Sequence, residues 1–148
     1  MADNQMTFNN LKLIPECNCL ENAVIDAESQ FGRVTSSKNL KDRDFKSKFE
    51  KSGNDVDGNC KQKCSYRGIS LSKINDNNVT DVISIFKEFF PIAPRYKRYI
   101  NIISITEKAG LVKQTPSKNN KHHWDLFKCD TFTLQEINKI KSISLADV

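Results

Sequence analysis

Hydrophobic residues recur along this chain with two periods. From Val79 to Phe90 they stand at Val79, Val82, Ile83, Phe86, Phe89 and Phe90, three and four apart, which predicts an amphipathic helix over 79–90 stopped by Pro91 and Pro94. The same spacing in Leu20, Ala23, Val24, Ala27 and Phe31, followed by Gly32, predicts an N-terminal helical segment near 20–31. Phe45 and Phe49 sit four apart inside a charged stretch, so a short helix near 41–51 ending at Gly53 is expected to carry both on one face. Thr133 with Glu136 three residues later resembles a capping box and predicts a last helix near 133–143.

Other stretches follow the period of a strand. Residues 66–74 alternate between Tyr66, Gly68, Ser70, Ser72 and Arg67, Ile69, Leu71, Lys73. Residues 98–106 are β-branched and almost continuously apolar, as in a strand buried on both faces. Glu107 to Gly110 reads as a turn into a strand near 110–114, expected to pair with 98–106 as a hairpin, and 121–128 is an aromatic-rich final strand. Leu11 to Ile14, before Pro15, suggests one more short strand, and residues 54–62 a polar surface loop. The expected fold is therefore α+β, a small and mainly antiparallel sheet packed by helices. Residues 1–36 form a segment packed on or appended to a single domain over 37–148.

Composition adjusts this picture only slightly. With 148 residues, 38% hydrophobic, the chain has material for one core. No apolar run approaches the roughly 20 residues of a membrane-spanning helix, so no membrane partner is expected. The opening residues lack the basic and apolar regions of a secretory leader. Five cysteines, an odd number at irregular spacing, are read as reduced thiols, and both features place the protein in the cytoplasm. The net charge of +5 is unevenly spread: residues 1–37 hold two basic and five acidic side chains, residues 38–73 ten and five, residues 74–148 eleven and eight. The basic excess thus begins at Lys38.

Four groups of residues are candidates for chemistry. Cys60 and Cys64, with His122 and Cys129 downstream, have the donor types that suit a structural zinc ion, while Cys17 and Cys19 form a further pair without an evident partner. His122 and His123 are the only histidines; alternation sends them to opposite faces and puts Asp125 beside His123, where a carboxylate can orient an imidazole for proton transfer. Arg67, at the expected start of a strand, has the fork to hold a phosphate or carboxylate. Lys46, Lys48, Lys61, Lys63, Arg95, Lys97 and Arg98, the last three interleaved with Tyr96 and Tyr99, have the makings of a sequence-tolerant nucleic-acid surface.

No phosphate-binding loop, dinucleotide fingerprint, serine-hydrolase elbow or calcium loop accompanies these groups. The first expectation is accordingly a non-catalytic interaction or accessory module of an intracellular complex, binding a protein partner through the aromatic helix. The alternative is a small basic protein that binds or cleaves nucleic acid with its Lys/Arg surface and His122 or His123.

Overall fold

The structure, a computed structural model, describes residues 6–90 and 97–147. Its helices are α1 (Asn9–Lys12), α2 (Lys48–Ser52), α3 (Cys60–Arg67) and α4 (Val79–Phe89). Its strands are β1 (Gln30–Thr35), β2 (Ile69–Ile74), β3 (Tyr99–Ile105), β4 (Gly110–Gln114), β5 (His123–Lys128) and β6 (Ile137–Ser144). The strands form one antiparallel sheet in the order β4-β5-β2-β1-β3-β6, so the fold is α+β as expected. Among the described residues no helix is long and apolar enough to cross a membrane.

Strand registers sort the core into two sides. Gly32 pairs with both Ser72 and Ile102, Ser72 with His123, and Asp125 with Lys113, so these residues share one face. On that face α4 buries Val82 and Phe86, one turn apart, against Ile74, Ile100 and Ile102. Gly32 makes this approach possible: a Cβ there would lie 2.6 Å from the Ile74 side chain and 3.4 Å from Phe86. The opposite face carries the larger cluster, with Phe31, Ile69, Leu71, Ile103, Val112 and Leu126 covered by Phe45 and partly by Leu40, Phe132 and Leu134. The turn into α4 is built by asparagines, for Asn75 Oδ1 accepts from the backbone N–H groups of Asn77 and Asn78, and Asn78 Oδ1 from that of Asn75.

Helix α4 and strands β3, β4 and β5 lie where the hydrophobic pattern puts them; Pro91, Pro94 and Arg95 lie outside the described residues. Other segments depart from expectation. The segment near 20–31 is not a helix: Val24 makes a single bridge to Val112, Asp26 closes a turn by accepting from Glu28 and Ser29, and β1 begins at Gln30. Its helical spacing loses to the burial of Phe31, fully enclosed in the sheet. Near 133–143 a single 3-10 turn precedes β6, because the Thr133 side chain makes no cap bond and Glu136 accepts instead from the Thr106 hydroxyl at 2.6 Å. The following β-branched residues then pair with β3.

Four further segments depart from expectation. The stretch near 41–51 splits into a 3-10 turn, Asp42–Phe45, and α2, because Ser47 and Glu50 cap a new helix reciprocally at 3.2 and 2.9 Å. Phe45 then enters the core while Phe49 lies under Arg67, so the two rings do not share a face. The polar loop ends early: Asn59 and Gln62 cap α3, which runs through Arg67, and β2 starts only at Ile69. Leu11 belongs to α1 and its continuing turns, not to a strand. Finally β4 pairs with β5, and β3 lies between β1 and β6, so the expected hairpin of 98–106 with 110–114 does not form.

Candidate ligand-binding cleft

Two cross-links hold the N-terminal segment to α3. Cys17 is bonded to Cys60 and Cys19 to Cys64, and Cys129 is the free cysteine. The reading of all five as reduced thiols is thereby corrected. This corner has a small core of its own, Ile14, Cys19 and Phe127, so covalent bonds supplement what little apolar area it buries. Arg67 completes the junction from inside: its Nε donates to the Asn10 carbonyl at 2.9 Å, and Nη1 donates to Asp55 at 2.8 Å and to the Lys63 carbonyl at 3.2 Å. Its guanidinium also stacks on Phe49 at 4.2 Å. With its side chain 1% exposed, Arg67 is a structural clasp at the end of a helix, not a residue at the start of a strand.

Between α3 and the loop after β4 lies an open cleft of about 560 Å³. Cys60, Lys61, Cys64 and Ser65 form one wall, Lys113, Thr115 and Lys118 the other, and His123 and Asp125 the floor. A second cavity of about 460 Å³ adjoins it, sharing His123 and Ser117 and adding Lys48, Ser70, Phe86 and Phe89. Alternation along β5 and the β4–β5 register place Lys113 directly opposite Asp125.

The floor has a definite chemistry. His123 Nδ1 lies 2.9 Å from the Thr115 hydroxyl and 3.0 Å from the Thr115 carbonyl. A carbonyl only accepts, so the neutral ring carries its proton on Nδ1 and keeps its lone pair on Nε2. Asp125 is 2% exposed, and its Oδ1 has no hydrogen-bond partner. Burial pushes its pKa above the usual carboxylate value, opposed by His123, the Thr115 hydroxyl and Lys113. The carboxyl fits only because residue 68 is glycine, since a Cβ there would stand 2.9 Å from Oδ1. Lys113 gives one hydrogen bond to the Cys19 carbonyl at 3.3 Å, and an ammonium has two more to give.

The structure brings together some of the expected site residues and separates others. His123, Asp125, Lys61 and Lys48 meet along the two cavities. His122 faces away, its Nε2 at 2.7 Å from Asp81 and its Nδ1 at 3.3 Å from Asn78. Lys46 is exposed beyond the 3-10 turn, Lys63 is half-buried on α3, and Lys97 and Arg98 stand at the start of β3, separated from β5 by β2 and β1. The zinc set of Cys60, Cys64, His122 and Cys129 does not assemble. Cys60 and Cys64 are in disulfides, His122 is held by Asp81, and Cys129 donates to the Lys108 carbonyl at 3.1 Å. Among the described residues no group of His, Cys, Asp and Glu stands ready for a metal ion.

Lys113, Thr115 and Lys118, like Ser65, are cleft residues that the sequence did not single out. Their signal was present: 110–114 and 121–128 flank a turn-rich loop, and pairing them aligns Lys113 with Asp125. The chain matches no protein-family model, no curated protein and no solved structure.

Proposed function

We propose that the cleft binds a phosphate-bearing ligand, with nucleic acid as the favoured class. One observation carries this: Lys61, Lys113 and Lys118 converge with His123 on a cleft whose one acidic lining residue, Asp125, is itself buried beneath them. Lysines on two walls neutralise phosphates, and Ser65 and Thr115 add hydroxyl partners. Binding is favoured over cleavage. In-line chemistry on a phosphodiester calls for both an acid and a base, and with His122 engaged by Asp81, His123 is the single imidazole at the cleft. A cytoplasmic location is compatible with this cleft only with its wall disulfides opened, since the cytosol keeps thiols reduced.

The reading as an accessory module for a protein partner rests on a different feature. Phe89 is 49% exposed beside Phe86 and Phe90 at the second cavity. One exposed ring is a small anchor, and single exposed hydrophobic residues are ordinary on protein surfaces.

Titration of the full chain with single-stranded RNA and DNA across a salt series tests the proposal. Affinity should fall as salt rises, and Lys113→Met should weaken binding about tenfold at low salt and reduce the salt slope by about one. No affinity at low salt, or a Lys113→Met protein that binds as well as the parent, would remove the cleft from consideration.

A further inference from the structure

The four bonded cysteines come from two compact motifs, Cys17-Asn18-Cys19 and Cys60-Lys61-Gln62-Lys63-Cys64. Cys60 and Cys64 stand one turn apart on the same side of α3, which sets their side chains about 6 Å apart. Their partners are close: the Cα atoms of Cys17 and Cys60 are 5.3 Å apart, those of Cys19 and Cys64 5.4 Å. All four sulfurs therefore occupy one small corner, and each motif supplies one sulfur to each bond. A tetrahedral zinc–thiolate centre, with bonds of about 2.3 Å, holds its sulfurs roughly 3.8 Å from one another. Such a centre requires both disulfides to open and the four side chains to turn until their sulfurs meet that spacing.

We propose that in the reduced protein Cys17, Cys19, Cys60 and Cys64 bind one zinc ion as a structural tetrathiolate, so that two disulfides and one metal centre are alternative cross-links of the same junction. The proposal does not rest on what the cleft binds, and it concerns two cysteines of the cleft wall, Cys60 and Cys64. In the conversion, each disulfide takes two electrons and two protons from a dithiol reductant, which departs as its own disulfide. The four thiols then release four protons as they bind Zn²⁺, leaving a centre of net charge −2.

The surroundings suit that charge. Lys61 and Lys63 lie between the two cysteines of α3, and Lys113 already donates to the Cys19 carbonyl at 3.3 Å. A cross-link in either redox state adds to a small core, in which Phe8, Leu11 and Leu20 pack partly buried on Ile14, Cys19 and Phe127. This set replaces the one expected from the sequence. Cys17 and Cys19 are the missing pair, while His122 and Cys129 play no part.

The experiment uses the full chain reduced in metal-free buffer, then given Zn²⁺ or Co²⁺ and desalted. One equivalent of zinc should be retained, and cobalt should show the intense visible bands of a tetrahedral thiolate centre. Denatured without metal, the reduced protein should present five reactive thiols and the oxidised protein one, and the oxidised form should retain no zinc. Cys129→Ser should keep the stoichiometry and spectrum, whereas Cys64→Ser should lose at least tenfold in affinity. If reduction unfolds the metal-free chain, added zinc should restore its circular dichroism. A folded reduced protein that takes up no metal, an unfolded one that zinc does not restore, or binding that depends on Cys129 instead of Cys64 would overturn the proposal.

Discussion

One face of the sheet is closed in two unlike ways. Over β1 and β3, α4 lays Val82 and Phe86 on Ile100 and Ile102, and glycine at position 32 lets it come close. Over β4 and β5, the N-terminal segment and α3 share a small core and are held instead by two disulfides and the buried Arg67. The difference has a physical logic. A surface that keeps Lys113 and His123 open to a cleft, above the buried carboxyl of Asp125, has little apolar area to offer a cover, so the cover is attached covalently and by hydrogen bonds. The apolar half needs no such attachment.

The largest effect should come from removing the cross-links. Replacing Cys60 and Cys64 by serine frees loops spanning 43 and 45 residues, which for one such closure is worth about 4 kcal/mol. The second bond closes nearly the same loop and adds less. Amide exchange should rise in α1 and α3 while α4 stays protected. Equal exposure of both halves would erase the contrast.

Phe86→Ala attacks the other half and should cost about 3 kcal/mol in urea unfolding, through lost burial and the cavity left behind. It should leave the disulfides and the affinity of the first cleft as they are.

Asp125→Asn tests the polar floor. Because burial raises the folded-state pKa of Asp125, the folded protein binds more protons than the unfolded chain between the two values. Its ionisation therefore costs stability as pH rises above the unfolded carboxylate value of about 3.9. The variant should gain stability relative to the parent at neutral pH, and the gain should shrink toward acid. A difference independent of pH would mean that the carboxyl is not strained by burial.

The smallest effect is expected at Glu50, whose carboxylate lies 2.8 Å from Lys128 on the flank of the sheet. Burial works against its charge, but hydrogen bonds and attraction from Lys128 and hydrogen bonds with Ser47 leave the pKa below the usual glutamate value. The stability it adds is present above the unfolded pKa and is lost as pH falls through the folded one. Glu50→Gln should cost less than about 1 kcal/mol at neutral pH and nothing in acid.

The two halves also differ in how plainly they can be read from the chain. Helix α4 announces itself through six apolar residues at one period, and β3 through a nearly continuous apolar run rich in isoleucine, because each buries a pattern long enough to outweigh chance. The cleft is harder to read. His123 and Asp125 were visible as neighbours on one strand face, yet Lys113 joins them only when β4 is paired with β5. The cysteines show the same limit, since four of them allow three pairings and spacing alone does not choose.

By itself, the sequence determined the α+β class, α4, the positions of β3, β4 and β5, and the shared face of His123 and Asp125, all of which follow from local periodicity. Tertiary structure alone decided that 30–35 and 137–144 are strands, that Cys17 and Cys19 meet Cys60 and Cys64, and that Arg67 is a clasp. The reason is physical. A helical spacing of a few apolar residues is worth little beside the burial of Phe31 in a sheet, and contacts made across 43 to 57 residues leave no mark on the pattern of their neighbours.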